Sequence, residues 1–207
     1  MSILLGLCIC VNPSNNKNPK KRNQQYLQGL NKFFEYNDIL KDNNVDIFIT
    51  DNTVSEYTNL PNEILNAIPD NCKIITCLNN NYGSINKGAG LIEQWLYNKK
   101  LIEQYDWFIH FEPRQLLKSN QFIESFLKEP RNLFTMNVNT YHFNTGLFCI
   151  SKENLLNYIN NCNLKKMVNN RICIEDDLYK YFKEKNLHYD TLEKMDLFWF
   201  SDKVYEW

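Results

Sequence analysis

The chain has 207 residues, which suits one domain that buries roughly 70% of the surface of its unfolded chain and needs no metal or disulfide to hold it together. Hydrophobic residues make up 43% of the chain, with only 6 glycines and 6 prolines, which excludes a disordered, low-complexity or collagen-like protein. A net charge of -1 provides no broad cationic field, so a nucleic-acid duplex is excluded as a partner, and the local basic patch of Lys17, Lys20, Lys21 and Arg22 is interpreted as a solvated loop and helix start.

The cysteines and the apolar opening segment both bear on the compartment. Seven cysteines fit neither a zinc motif nor a small disulfide scaffold, so free thiols in a reducing compartment are expected. The run at residues 2–11 lacks a preceding basic region and is too short to cross a bilayer. It is therefore predicted to be a buried first strand rather than a signal peptide or a transmembrane segment.

The first half of the chain alternates short apolar runs with longer segments of helical period, a pattern typical of an α/β sheet flanked by helices. Helices are expected at residues 21–40 and 89–105. Strands are predicted at residues 3–11, 45–50, 73–78 and 107–111. Each strand is followed by a polar residue, and right-handed crossovers bring such ends out on one side of the sheet, so we expect a single cleft there.

The second half is less regular but continues the same pattern. Strands are predicted at residues 133–138 and 147–150, and helices at residues 120–128, 151–159 and 176–185, where Ser119 or Asn120 and then Ser151 can act as helix caps. We find no internal repeat, linker or change of composition. The prediction is one α/β domain over residues 1–207, with a mixed, mainly parallel sheet.

Residues 79–90 contain small side chains and a lysine where a helix begins. Free backbone N–H groups, the positive helix end and the Lys87 ammonium could together bind an anion. The segment is neither a P-loop nor a dinucleotide fingerprint. A plain turn that needs glycine for a positive φ explains it equally well.

Glu112 and Arg114 follow the fourth predicted strand, with Pro113 between them. A carboxylate at this position can bind a divalent ion that bridges phosphate oxygens, and a guanidinium can bind phosphate directly. The alternative is a surface pair in a turn. His110, within the apolar strand, is interpreted as a core residue.

Two later segments also carry candidate functional groups. His142, Asn144 and Thr145 precede an apolar strand, and their imidazole, amide and hydroxyl groups suit the recognition of sugar hydroxyls, with Gly146 allowing a substrate near the backbone. The alternative is a turn into an edge strand. Further on, acids crowd the first turn of a predicted helix, where they serve either as helix caps or as a base that removes a proton from an acceptor hydroxyl: Glu175, Asp176 and Asp177.

Together these features resemble the small glycosyltransferases of the GT-A fold. The resemblance rests on four short motifs: a first strand ending in Val11-Asn12-Pro13, a second ending in Asp51, a strand ending in acid where the family has its Asp-x-Asp metal motif, and Glu175-Asp176 in place of its late Glu-Asp pair. It implies that Asn12 and Asp51 contact the nucleotide base and ribose. It also implies donor contacts, near the ribose or phosphates, for Asn86, Lys87 and Gly88.

The resemblance further implies that Glu112 stands at the metal position, but Arg114 replaces the family's second acid. Either Glu112 alone anchors a Mn²⁺ or Mg²⁺ held mainly by the donor diphosphate, or Arg114 stabilises the leaving nucleotide; we favour the metal. The implied activity is an inverting, hexosyltransferase-type reaction in glycan biosynthesis, from a nucleotide-sugar donor to a glycan or glycoconjugate acceptor. Asp176 is the expected base, with Glu175 or Asp177 as alternatives.

Two other functions remain open at this point. A sugar-phosphate nucleotidyltransferase also uses an α/β sheet, but it usually has a glycine-rich basic loop after the first strand, where this chain has Asn12-Pro13-Ser14-Asn15. A noncatalytic glycan- or nucleotide-binding module would explain the missing second acid. For the location of the protein, the expectation is cytoplasmic, or peripheral to a membrane that carries the acceptor.

Overall fold

The apolar runs of the sequence form a seven-stranded sheet in the computed structural model, which describes residues 1–14, 17–137, 142–194 and 196–199. In chain order, the strands of this sheet are β1 (Ile3–Ile9), β2 (Val45–Asp51), β3 (Lys73–Thr76), β4 (Trp107–Phe111), β6 (Leu133–Asn137), β7 (His142–Ser151) and β8 (Asp190–Leu192). Two short strands, β5 (Gln115–Leu117) and β9 (Leu197–Trp199), pair separately. The strand order in the large sheet is β3-β2-β1-β4-β7-β6-β8.

The strand directions confirm a mixed, mainly parallel sheet. Strands β1 to β4 are mutually parallel, with Leu7 in register with both Ile49 and Phe111. Strand β7 is antiparallel to β4 and to β6, and β8 is parallel to β6. The carboxyl ends of β1, β2 and β4 therefore meet at one edge, as the strand pattern predicted.

Helices cover both faces of the sheet because side chains alternate along each strand. On β1, Leu5 and Leu7 face one apolar layer, whereas Leu4 and Cys8 face the other. The first layer is completed by α1 (Pro19–Phe34), α2 (Asn37–Asp42), α3 (Asn62–Asn66) and α6 (Gln121–Lys128). The second contains α4 (Lys87–Tyr97), α5 (Lys99–Ile102), α7 (Lys152–Asn161), α8 (Leu164–Asn169) and α9 (Ile174–Glu184).

Two of the predicted helices are each divided in two. The helix predicted at residues 21–40 is interrupted before α2, where the Tyr36 hydroxyl donates to the backbone carbonyl of Lys118 at 2.9 Å. The helix predicted at residues 89–105 is interrupted at Asn98, whose amide donates to the Thr50 hydroxyl at 2.8 Å and to the Gln94 carbonyl at 2.9 Å. Both interruptions thus coincide with long-range polar contacts, which a helical period does not reveal.

Strand β7 is longer than the predicted residues 147–150, because it pairs along both edges and extends through polar residues from His142. The last residue of the strand predicted at 133–138 lies outside the described residues. All seven cysteines are free thiols, although Cys173 is exposed rather than packed among apolar side chains. Within the described ranges, no helix has the length and apolar character required to cross a membrane.

Candidate functional site

A cavity of about 740 Å³ opens at the sheet edge where β1 and β4 end. It brings together parts of the chain that are far apart in sequence: Cys10 after β1, Arg22 of α1, Lys87 of α4, Glu112 and Arg114 after β4, and Glu175 of α9. A smaller cavity of about 390 Å³ is lined by Val11 and by polar side chains that include Asn12, Asn23, Thr53 and Ser55. The structure thus has two separate cavities in place of the single predicted cleft: of the polar residues at the strand ends, Glu112 lines the larger and Asn12 the smaller, whereas Asp51 lines neither.

Basic side chains outnumber acidic ones among the described residues that line the larger cavity. The basic side chains are Arg22, Lys87, Arg114 and Arg171, and the acidic ones are Glu112 and Glu175. Glu112 and Arg114 form an ion pair, with 3.4 Å between a carboxylate oxygen and Nε of the guanidinium. An excess of positive charge in a concave site favours an anionic ligand such as a diphosphate.

Arg22 is a cavity residue that sequence reasoning missed, because it was grouped with exposed lysines as a solvated basic patch. Its guanidinium donates hydrogen bonds to the Cys10 carbonyl and to the Tyr26 hydroxyl, which hold the side chain against the end of β1. Tyr26 lies one helical turn further along α1 and is buried. The spacing of Arg22 and Tyr26 was the available signal for an inward-facing arginine.

Lys87 lines the larger cavity, and the cations near it affect the pKa of its ammonium group. Desolvation lowers the pKa of Lys87, and the nearby Arg114 and Arg22 lower it further, while Glu112 partly opposes the effect. Like charges held together in this way are relieved by a bound anion. The electrostatics of Lys87 therefore support an anion site.

The first turns of α4 and α9 meet at the cavity. The Asn86 side chain caps α4 by accepting from the Ala89 N–H at 3.1 Å. Gly88 permits the close approach, because a Cβ at this position would lie 2.8 Å from Cβ of Ile174 at the start of α9. Two helix N-termini, each with a partial positive charge, thus lie side by side at the same cavity.

The segment before α4 is held by Glu93, which sequence reasoning also missed. Its carboxylate accepts from the backbone N–H groups of Asn81 at 3.0 Å, Tyr82 at 3.1 Å and Gly83 at 3.3 Å. No glycine in the described residues has a positive φ; Gly83 instead packs against Gly90, where a Cβ would lie 2.6 Å from Cα of Gly83. The glycines here serve close packing rather than an unusual turn.

The three acids at the start of α9 have three different environments. Glu175 lines the larger cavity and accepts a hydrogen bond from the Thr145 hydroxyl at 3.1 Å. Asp176 instead pairs with Lys180 at 2.7 Å, and Asp177 accepts from the Tyr158 hydroxyl at 3.0 Å. Neither Asp176 nor Asp177 is among the described residues lining the two cavities, so Glu175 is the one carboxylate of the three that lines a cavity.

The residues expected to bind the nucleotide differ in whether their side chains reach a cavity. Asp51 is fully buried, and its carboxylate accepts from the N–H of Val11 at 2.8 Å and from the N–H of Thr53 at 2.6 Å, so it joins the ends of β1 and β2. Asn12 presents an exposed side chain to the smaller cavity. Asn86 lines the larger cavity, and its amide nitrogen donates to the backbone carbonyls of Met167 and Ile172.

The residues expected to bind the acceptor are separated as well. Thr145 lines the larger cavity, whereas Asn144 accepts from the Gly146 N–H at 3.0 Å and His142 begins β7; neither is a described lining residue of the cavities. The space beside Gly146 is filled by Gln115, since a Cβ there would lie 2.3 Å from Oε1 of Gln115. The interpretation that Gly146 admits a substrate is therefore wrong.

The residues around Glu112 do not fit a divalent metal ion. Mn²⁺ or Mg²⁺ needs several oxygen ligands, but Glu112 is one carboxylate and is already paired with Arg114. Across the part of the chain that the structure describes, no group of three His, Cys, Asp or Glu side chains is arranged to hold a metal.

Comparison with protein-family models and with curated proteins finds no match. Among solved structures, the chain is similar to a protein described as a nucleotide-diphospho-sugar transferase from Desulfovibrio desulfuricans G20, with a TM-score of 0.58 and 10% identity over 93% of this chain and 80% of that one. A second similar structure is a cytidylyltransferase from Leptospira borgpetersenii serovar Hardjo-bovis. The match has a TM-score of 0.48 and 11% identity, and it spans 92% of this chain and 74% of the cytidylyltransferase. The chain thus has the mixed α/β fold of nucleotide-diphospho-sugar transferases.

Proposed function

We propose that this protein is a glycosyltransferase that moves a hexose from a nucleotide-sugar donor to a hydroxyl of a glycan or glycoconjugate. The observation that carries the proposal is one cavity that contains a cluster of cations and, at Glu175, a carboxylate suited to act as a base. The cations suit a diphosphate, and the carboxylate suits the activation of a hydroxyl. The mixed α/β fold is compatible with this activity.

The smaller cavity is the proposed site of the nucleotide base and ribose. Its amide and hydroxyl groups can donate to and accept from the edges of a base. Oδ1 of Asn23 is buried and, among the described residues, has no hydrogen-bond partner, which leaves an acceptor available to a ligand. The larger cavity then receives the diphosphate and the sugar.

Arg22, Lys87 and Arg114 are assigned to the diphosphate. When the bond from the anomeric carbon to the phosphate oxygen breaks, negative charge develops on the leaving group, and fixed cations in a concave site stabilise it. Arg22 and Arg114 are held in place by hydrogen bonds or an ion pair within the protein, which limits reorganisation during the reaction. The cation cluster therefore supplies the charge that the resemblance assigns to a metal.

Glu175 is the proposed base for an inverting reaction. The acceptor oxygen forms a bond to the anomeric carbon as the diphosphate leaves with the bonding electrons, and the hydroxyl proton passes to the Glu175 carboxylate. The hydrogen bond from Thr145 orients this carboxylate. The assignment of Asp176 becomes secondary because its carboxylate pairs with Lys180.

The proposal is tested by incubating the protein with a panel of nucleotide sugars, with and without added glycans. Release of nucleoside diphosphate supports a transferase, and transfer of label to a glycan identifies the acceptor. Formation of nucleoside triphosphate on addition of pyrophosphate would instead indicate a nucleotidyltransferase. Binding without turnover, in a protein whose unfolding transition is normal, would indicate a noncatalytic module.

A further inference from the structure

His110 lies in the floor of the larger cavity, although the sequence suggested only a core residue. Side chains alternate along β4, so His110 is on the same face of the sheet as Phe108 and as Glu112, two residues further on. His110 is fully buried and is among the residues that line the cavity. It therefore lies deeper in the site than the Glu112 and Arg114 pair.

The imidazole of His110 has unused hydrogen-bonding capacity. Neither ring nitrogen has a hydrogen-bond partner among the described residues, and the ring is flanked by Trp95 at 5.4 Å and Phe148 at 5.0 Å between centroids. An imidazole nitrogen can donate a hydrogen bond when it carries a proton and can accept one when it does not. Buried polar groups are normally paired, which points to a missing partner.

A second unpaired group occurs in the same cavity. The Gln94 amide nitrogen donates to the Ile9 carbonyl at 2.6 Å and to Oδ1 of Asn52 at 3.1 Å, which fixes the orientation of the amide. Its oxygen is buried and has no partner within the described part of the chain. Two such groups in one cavity indicate a ligand with several hydrogen-bonding substituents.

The position of His110 is close to the place where transfer would occur. The Glu112 N–H donates to the Gly146 carbonyl at 2.9 Å, and Thr145, the residue before Gly146, holds Glu175. The cations and the base thus approach each other where β4 ends beside the middle of β7. His110 is paired with Phe148 on these same strands, further from the strand end.

We propose that His110 hydrogen-bonds a hydroxyl of the transferred sugar and so determines which sugar the cavity accepts, an inference that rests on the proposed function. A hydroxyl can accept from a ring nitrogen that carries a proton or donate to one that does not. A different occupant of the floor, an ordered water, would leave the choice of sugar unaffected.

The test uses His110→Phe, which keeps a planar ring between Trp95 and Phe148 but removes both nitrogens. Thr135→Val is the matched control, because the Thr135 hydroxyl is also buried and unpaired among the described residues but lines neither cavity. Calorimetry measures the affinity of each protein for UDP-glucose, UDP-galactose, UDP-N-acetylglucosamine and GDP-mannose, and for UDP and GDP alone. Thermal unfolding establishes that each variant is folded, and His110→Gln provides a second variant that retains a donor and an acceptor.

For the nucleotide sugar that the wild type binds most tightly, His110→Phe should weaken binding about five- to tenfold, as expected for one hydrogen bond, while the affinity for the free nucleoside diphosphate changes less than about twofold. A deoxy-sugar analogue that lacks the contacted hydroxyl should bind the wild type and His110→Phe equally well. Thr135→Val should match the wild type throughout, and His110→Gln should fall between.

Unchanged affinity of His110→Phe for every nucleotide sugar, or an equal loss for the free nucleoside diphosphate, would overturn the inference while leaving the proposed function intact. Failure of the wild type to bind any nucleotide or nucleotide sugar in the panel would overturn the proposed function, and this inference with it.

Discussion

Glu175, Asp176 and Asp177 are adjacent in the sequence, yet each carboxylate has a different partner. Successive residues of a helix point about 100° apart, so the three carboxylates face different directions. Glu175 faces the larger cavity, while Asp176 faces Lys180 one turn along the helix and Asp177 faces Tyr158 of α7. The composition of the cluster indicated a functional helix start, but the choice among its members required the direction of α9.

Glu175→Gln should reduce transfer at least about 100-fold, because the amide keeps an oxygen for Thr145 but cannot take up the acceptor proton. Donor affinity should stay within about twofold, since the change lies at the base and not at the diphosphate. Turnover is followed by release of nucleoside diphosphate, and donor binding by calorimetry.

Asp176→Asn is the matched control for this prediction, as the same acid-to-amide change one residue further on. It removes only an exposed ion pair, so turnover should stay within about threefold and the free energy of unfolding should change by less than ~0.5 kcal/mol. An active Glu175→Gln together with an inactive Asp176→Asn would make Asp176 the base after all.

Arg22 and Lys20 allow a similar comparison on α1. Arg22 lines the cavity, whereas Lys20 is exposed on the same helix. Arg22→Gln should weaken the binding of nucleoside diphosphate about 10- to 100-fold, as expected for lost hydrogen bonds to a charged group. Lys20→Gln should change it by less than about twofold.

The comparison is measured by calorimetry at two salt concentrations, with urea unfolding to confirm that Arg22→Gln retains its fold despite losing its contacts to Cys10 and Tyr26. Equal losses in the two variants would mean that α1 contributes only a general positive field. Salt separates a specific contact from a general field, because salt screens surface charges. Any effect of Lys20→Gln on the affinity for nucleoside diphosphate should vanish at high salt, whereas the effect of Arg22→Gln should remain.

At the scale of elements, Asp51 shows that a residue at a strand end need not face the site. Its carboxylate joins β1 to β2 through the N–H groups of Val11 and Thr53. Asp51→Asn should lower the free energy of unfolding by about 1–3 kcal/mol, because an amide turns N–H groups toward these donors and leaves them unpaired. Urea unfolding measures the loss.

Asn12→Ala provides the contrast, because the Asn12 side chain is exposed while its backbone N–H bonds to Thr53. Its stability should stay within about 0.5 kcal/mol of the wild type, but nucleotide binding should weaken. If Asp51→Asn were fully stable and yet failed to bind nucleotide, its carboxylate would contact the ligand as the family resemblance implies.

The strands were more predictable than the ends of the helices. Buried parallel strands read as continuous apolar runs, which is why the starts of β1, β2, β3 and β4 follow from the sequence. The break between α4 and α5 depends on Asn98 reaching Thr50 in β2, a contact between residues 48 positions apart. Local periodicity contains no information about such a contact, and the same reason explains why the short pair β5 and β9 was not predicted.

At the scale of the whole molecule, the larger cavity is assembled from parts of the chain that are far apart in sequence. The sequence identified the segment before α4, the exit of β4 and the start of α9, because each has charged or small residues beside an apolar run. The contribution of Arg22 and Tyr26 was missed because the neighbours of Arg22 are exposed lysines. Which of these side chains converge is decided by the packing of α1, α4 and α9 on the sheet, and not by any one motif.

The distribution of charge over the molecule bears on whether the protein needs a metal. The chain as a whole has a net charge of -1, but basic side chains exceed acidic ones among the described residues that line the larger cavity. Such a site can neutralise a diphosphate with its own side chains, whereas Glu112 paired with Arg114 is a poor metal ligand set.

Turnover in excess chelator should therefore equal turnover without it, and Arg114→Gln should reduce turnover about 10- to 100-fold. Activity that disappears in chelator and returns with Mn²⁺ would instead assign the diphosphate charge to a metal at Glu112, and Arg114→Gln would then be expected to retain most of its activity.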